Sequence, residues 1–319
     1  MMYGADILRF RRSFLKAIFI RMSSCSGKTD NLLQRKRENR HLMLINPIPG
    51  SGPGLGKYVK TSEDYRKMNI EVSVIIPAHH EGRLAHSSML SVFRSADYAD
   101  KRDVKTEIIV IMDTPDETTR EYFSRYENSE ILLETVDFSD VGLTRNFGIN
   151  ISSGRYITLL DADNLFGQNW IYESFRYLGQ SEKDVIVHPE YHIVFGTEDM
   201  IFQQLSSDDP ECNIGNLIEN NYWDTVCTVK REILLKYPYQ TTMKTRGFGF
   251  EDWHFNCVTL ADGIEHRPVP GTVHFLRKKR SGSQLAHTIE TNRVVRPNKL
   301  FDPDILASMT KQGSSGVQK

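Results

Sequence analysis

The sequence predicts an α/β fold built on a mostly parallel central sheet flanked by helices. Two observations carry that expectation. Between residues 72 and 160, short runs of β-branched and bulky apolar residues alternate with segments of helical periodicity. The runs are too apolar to leave either face of the sheet in water, which is the pattern of parallel strands covered on both sides.

The first element is Val72-Ser73-Val74-Ile75-Ile76-Pro77, a strand stopped by its proline. Leu84 to Ala96 has helical spacing, and Glu107 to Met112 is a second strand, ending at Asp113. Thr118 to Tyr126 predicts a helix, Ile131-Leu132-Leu133 a short strand, and Leu143 to Ile151 a helix closed by Gly154. The run Arg155-Tyr156-Ile157-Thr158-Leu159-Leu160 is the next strand, and Asp161-Ala162-Asp163 follows it directly. The second half alternates less clearly. It predicts helices over Ile171–Leu178 and Trp253–Leu260 and strands over Val185–His188 and Val226–Val229. Beyond Asp304, the residues Gly313, Ser314, Ser315 and Gly316 predict a disordered tail.

Composition narrows the class. A chain of 319 residues has ample length for a sizeable core, and a formal net charge of -1 argues against a nucleic-acid binder that relies on bulk positive charge. Four cysteines (Cys25, Cys212, Cys227, Cys257) lack CxxC spacing, so neither a zinc site nor a disulfide framework is suggested and a reducing compartment fits. No apolar stretch is long enough to span a bilayer. Residues 1–69 divide into a basic extension and a linker rich in Pro and Gly, residues 70–300 form the folded domain, and 301–319 form the tail. Within the extension, Leu8, Phe14, Leu15, Ile18, Phe19 and Met22 recur at helical spacing among arginines and lysines. Two readings stand: a basic amphipathic helix lying on an anionic membrane surface, or an unstructured extension.

The chemistry-bearing residues gather just past predicted strand ends, where open α/β sheets bind ligands: His79, Glu81, Asp113, Asp161 and Asp163. Two carboxylates so close would repel each other unless a divalent cation sits between them and an anion. The plainer alternative is a turn acid capping the helix that starts near Gln168. A second acidic doublet, Glu251-Asp252, follows the glycine-punctuated stretch Arg246-Gly247-Phe248-Gly249-Phe250. Those acids could equally open the helix through Leu260, where the dipole favours them.

These residues, in this order, resemble the family 2 glycosyltransferases. The likeness covers roughly residues 70–285 and rests on five segments. They are Val74-Ile75-Ile76-Pro77-Ala78-His79-His80-Glu81, Asp113, Arg145-Asn146-Phe147-Gly148, Asp161-Ala162-Asp163 and Glu251-Asp252-Trp253. Asn is usual where His80 stands, and a second Asp where Thr114 stands, so the departures lie near the base and ribose. The resemblance implies a GT-A fold with a Rossmann-like sheet, residues 70–165 binding the nucleotide and 166–300 the acceptor. It implies a metal-dependent transfer of sugar from a nucleotide-diphospho-sugar, most often UDP-linked, to an acceptor hydroxyl with inversion. A retaining transferase and a non-catalytic nucleotide-sugar-binding relative stand as alternatives.

By the same resemblance, Pro77, Ala78, Glu81, Asp113, Arg145, Asp161, Ala162 and Asp163 would bind the nucleotide sugar, with Arg280 from the basic run Arg277-Lys278-Lys279-Arg280. Mn²⁺ or Mg²⁺ would sit on Asp163 and Asp161, with His274 as a third ligand or as a satisfied core histidine. Asp252 would act as base, Glu251 would bind hydroxyls, and Trp253 would offer its ring face to the acceptor sugar. The partners would be that donor and a carbohydrate or lipid-linked acceptor in surface polysaccharide or glycolipid assembly, with no nucleic acid. The location would be cytoplasmic, with peripheral contact to the inner face of the membrane through the basic N-terminus.

Overall fold

A computed structural model describes residues 69–314 apart from 128, 243 and 280–283. The basic amphipathic stretch, the linker and Arg280 lie outside the described residues. The first half follows the predicted alternation: β1 (Val72–Ala78), α1 (Ala85–Asp100), β2 (Thr106–Asp113), α2 (Glu117–Ser124), β3 (Ile131–Val136), α3 (Val141–Ile151) and β4 (Tyr156–Leu159). β1 pairs in parallel with both β2 and β4, and β2 pairs in parallel with β3. Every residue of β1 is buried, and its successive side chains enter opposite layers. Val74 and Ile76 join Val92, Phe123 and Trp170 on one face, while Ile75 joins Ile149, Ile157 and Val229 on the other. Each such fully buried side chain contributes roughly 1.5–3 kcal/mol, which explains why the strands carry no polar alternation.

Registers put the strand ends level. Ala78 sits opposite Met112, and Ile75 sits opposite Leu159. The segments leaving β1, β2 and β4 therefore emerge along one edge of the sheet, carrying Glu81, Asp113, Asp161 and Asp163. Two helix starts are fixed by acids: Asp116 accepts the Thr119 N–H (2.9 Å) and Asp140 accepts the Leu143 N–H (3.1 Å).

The second half is mixed. It runs through β5 (Leu165–Phe166), α4 (Trp170–Gln180), β6 (Val185–Gly196), β7 (Met200–Gln203), β8 (Thr228–Lys230), α5 (Arg231–Lys236), β9 (Phe248–Gly249), α6 (Glu251–Ala261), β10 (Glu265–Lys278), α7 (Gln284–Glu290) and β11 (Val294–Val295). Among the described residues the main sheet has the order β3-β2-β1-β4-β8-β6-β10-β5, with β7 on β6. β8 is antiparallel to β4 and β6, while β6 and β10 pair in parallel over a long register broken between Val269 and Val273. β6 runs well past His188, the end expected from sequence, because Pro189 is accommodated inside the strand. The glycine-flanked stretch before Glu251 is held: β9 pairs with β11, and the Val294 N–H donates to the Gly247 carbonyl (3.0 Å). Of the expected disordered tail, the part through Ser314 is instead a helix, α8 (Pro303–Ser314), and residues 315–319 lie outside the described residues. Proline at its first position and Asp304 in its first turn favour that start, and Met309 packs on the cluster of Leu217, Trp223 and Leu300. Among the described residues no helix is long and apolar enough to cross a membrane.

Candidate active site

Arg145 organises the site. It lies on α3, almost completely buried, and its guanidinium donates Nη1 to Glu251 (2.6 Å) and Nη2 to Asp161 (2.9 Å). One planar fork thus ties the acid after β4 to the acid opening α6, 106 positions apart in the chain. The two acidic motifs that the sequence separates meet at one place.

The rest of Arg145-Asn146-Phe147-Gly148 supports that clip. The Asn146 side-chain amide donates to the Tyr239 carbonyl (2.8 Å) and accepts the Tyr239 N–H (2.9 Å). Asp140, one turn earlier, accepts both the N–H (2.8 Å) and the hydroxyl (2.7 Å) of Thr242. Together they pin the chain leading to α6 against α3. Gly148 is needed for close approach, since a Cβ there would lie 2.6 Å from Cγ2 of Ile75 on β1.

The carboxyl groups differ in surroundings. Burial raises Asp161 above the usual carboxylate range, Arg145 pulls it down, and neighbouring Asp163 pushes it up again. Asp163 pairs with the Lys279 ammonium (2.6 Å), while Arg277 donates Nε to its backbone carbonyl (2.9 Å). The basic run at the end of β10 is therefore anchored on the acidic triplet through Arg277 and Lys279, whereas the sequence points to Arg280. Glu81 accepts the His79 N–H (2.6 Å) and is raised first by burial and then by Asp163, against the lowering pull of that N–H and of Lys279. Pro77 and Ala78 are buried at the end of β1, and Ala162 is buried between the two acids.

Asp252 is raised to about 7, first by burial, then by the charges of Glu251 and Asp224, with Arg145 opposing. Its Oδ2 accepts a long hydrogen bond from Asn221 (3.3 Å). The residue before this pair, Phe250, has φ 58 and ψ 56, a left-handed conformation costing a non-glycine residue about 1–2 kcal/mol. That strain sits next to the acids.

Two predicted residues face the protein. Asp113 accepts N–H groups from Phe138 (2.8 Å), Ser139 (2.8 Å) and Asp140 (3.0 Å) and hydroxyls from Thr144 (2.7 Å) and Thr114 (3.1 Å). Burial alone would raise its carboxyl, but these donors hold it below the usual value. About four lone-pair sites already serve five donors, so its carboxylate is spent on holding the loop between β3 and α3. Trp253, expected to stack on a sugar, donates Nε1 to the Leu217 carbonyl (2.9 Å) and packs against the cluster of Cys212, Leu217, Cys257 and Leu260.

His274 is fully buried and lies beside neither acid of the triplet. With His192 and Asp224 it forms a group whose ligand-type atoms lie within 4.8 Å of one another. His192 is a polar residue at an inward position of β6, the one local signal that sequence could have offered. A concavity of about 140 Å³ lined by Tyr237, Gln240, His254 and Phe255 contains none of these acids and is too small for a sugar nucleotide.

Comparison with known proteins gives the fold its context. The model of glycosyl transferase family 2 matches residues 73–238, just over half of the chain's 319 residues. A poly(ribitol-phosphate) beta-glucosyltransferase of Bacillus spizizenii is 24% identical over 120 residues, covering 36% of this chain and 18% of that protein. Glycosyltransferase GlyG of Streptococcus pneumoniae is 22% identical over 124 residues, covering 38% and 39%. These matches span well under two thirds of either relative. Residues 1–349 of S. aureus TarS, solved with UDP-GlcNAc, superpose with a TM-score of 0.54 at 13% identity, over 77% of this chain and 73% of that one. The mannosyltransferase PcManGT from Pyrobaculum calidifontis, solved with GDP-Man and Mn²⁺, gives 0.50 at 14% identity, over 78% and 74%. At such identities the likeness shows a shared fold, the GT-A type.

Proposed function

The chain belongs to glycosyl transferase family 2, and from that premise we propose that it moves a sugar from a UDP-linked donor to a hydroxyl of a carbohydrate or lipid-linked acceptor, with inversion at the anomeric carbon. The observation that carries this reading is the Arg145 clip, which brings the acids after β4 and the acids opening α6 to one site. UDP is the donor base that the family resemblance implies, and TarS, which shares the fold, is solved with UDP-GlcNAc. A relative named for poly(ribitol-phosphate) glucosylation favours a surface polymer as acceptor.

The chemistry follows from placement. The acceptor hydroxyl must lose its proton as the new bond forms, and Asp252 takes it. A carboxyl raised to about 7 is a stronger base than an ordinary aspartate yet still ionised in useful measure near neutrality. Glu251, fixed by Arg145, holds its orientation beside the base and keeps Asp252 raised by its charge. At the other side, Lys279 and Arg277 bring positive charge to Asp163, where the donor's diphosphate would lie. A divalent cation, when bound, neutralises the departing diphosphate as a Lewis acid. The acids of the triplet fit that role only in part. Asp161 is held by Arg145, and an ion on Asp163 has to displace the Lys279 ammonium.

The test is a panel of UDP-, GDP- and dTDP-sugars with and without Mn²⁺, scored by thermal shift and by slow release of free sugar. Stabilisation and turnover by a UDP-sugar are expected, and no response to any donor would refute the reading. Product anomers by NMR should be opposite to the donor's, and retained configuration would remove Asp252 as base.

A further inference from the structure

The acids of the triplet are already paired with fixed cations, yet one buried group of ligand-type side chains nearby holds atoms with no hydrogen-bond partner among the described residues. His192 on β6 and His274 on β10 are cross-strand partners, so their rings meet on one face of the sheet. Asp224 reaches them from the segment before β8. The Nδ1 atoms lie 3.3 Å apart, and Oδ2 of Asp224 is 3.5 Å from His192 Nδ1 and 3.7 Å from His274 Nδ1. Ligand atoms held tetrahedrally about 2.1 Å from one ion lie about 3.4 Å apart, so this triangle has the dimensions of one face of a coordination shell.

Protein partners account for the arrangement only in part. Both rings are completely buried, and Nε2 of each, together with Asp224 Oδ2, makes no hydrogen bond among the described residues. Of the three converging atoms the two Nδ1 atoms face each other, and Asp224 Oδ2 has no hydrogen-bond partner among the described residues, a costly arrangement in a buried setting. An ion placed among the two Nδ1 atoms and Oδ2 would give that carboxylate oxygen a partner. The Asp224 side chain is 23% exposed, so the group lies close to the protein surface.

We propose that His192, Asp224 and His274 form this protein's seat for a divalent transition-metal ion of the Mn²⁺ or Zn²⁺ kind, in place of the Asp161–Asp163 pair. Two imidazoles and one carboxylate select such ions over Mg²⁺ and Ca²⁺, which favour oxygen-only shells. Sequence reading had named only His274, and had grouped it with the triplet. The ion's use in sugar transfer rests on the proposed function, whereas its binding does not.

The experiment therefore measures binding alone, on the full chain with no sugar nucleotide present. Mn²⁺ is titrated and followed by loss of the free-ion EPR signal, with excess Mg²⁺ as competitor. Co²⁺ is followed by the visible absorption that nitrogen ligands confer. One ion per chain, a nitrogen-type Co²⁺ spectrum and retention against Mg²⁺ are expected. His192→Gln should weaken binding at least about tenfold, whereas Asp163→Asn should leave it within about twofold. The Co²⁺ spectrum needs no variant, so the proposal can fail even if His192→Gln does not fold. No ion bound by the unmodified chain would overturn it, as would loss of the ion in Asp163→Asn with retention in His192→Gln.

Discussion

Replacing Arg145 with Met is the perturbation whose size the structure sets most directly. The guanidinium is buried and makes two short charge-assisted bonds, 2.6 Å to Glu251 and 2.9 Å to Asp161. Methionine fills much of the volume but leaves both carboxylates facing each other without a cation. Breaking a buried ion pair from one side costs about 3–5 kcal/mol, and because Glu251 is buried while the Asp161 side chain is 34% exposed and screened by water, the lower end is expected. The penalty must depend on pH. Asp161 is raised by burial even with Arg145 in place, so in the folded chain it holds its proton to a higher pH than in the unfolded chain. Stability from such a group is lost as pH rises through its folded value, and removal of Arg145 raises that value further. The deficit should accordingly be larger at about pH 8 than at about pH 5. Urea unfolding of the two proteins at both pH values measures it. A compensated variant, Arg145→Met with Asp161→Asn and Glu251→Gln, should recover most of the loss, because neutral replacements of a buried ionic group cost little. A deficit under about 1 kcal/mol, or one indifferent to pH and to compensation, would refute the clip as the organising contact.

Three further outcomes follow from the same geometry. With Asp252 raised to about 7, kcat/KM for transfer should climb as pH passes that value and level off above it, and a flat profile would exclude Asp252 as the base. Gly148→Ala should cost about 1–3 kcal/mol in thermal unfolding, because the added Cβ would lie 2.6 Å from Ile75 and push α3 off β1, and unchanged stability would contradict that approach. Burial pushes the thiols of Cys212, Cys227 and Cys257 up to about 11, 12 and 12, so in the native protein a disulfide reagent at about pH 8 should leave all three unmodified, and rapid reaction at any of them would contradict their burial.

The parallel half of the fold was legible because its cause is local. Val72–Pro77 and Glu107–Met112 carry apolar side chains on both faces, interrupted only by Ser73 and Glu107, and the structure buries both faces. The second half hid its strands where local rules break. Pro189 lies within β6, and Pro268, Pro270 and Gly271 lie within β10, residues that ordinarily end strands and are tolerated here beside a register break. The tail was misread because glycine and serine near its end outweighed the start signal at Pro303. At the site, Arg145, Asp161 and Glu251 could each be named from motif order, but their joining across 106 positions is a tertiary fact. Lys279 was one of four basic residues in a row, and its pairing with Asp163 depends on where β10 ends. Asp224 carried no local signal at all, since its importance comes from two histidines on strands that only the folded sheet brings together.

The central claim is that the wall carrying Asp163, Arg277 and Lys279 holds the donor while Asp252 alone serves the incoming hydroxyl. Transfer rate and donor dissociation constant, measured side by side for the unmodified protein and Asp252→Asn, test it most directly. Transfer should fall by at least about a thousandfold with donor affinity within about threefold of the original. Retained transfer, or equal loss of transfer and donor binding, would contradict the account.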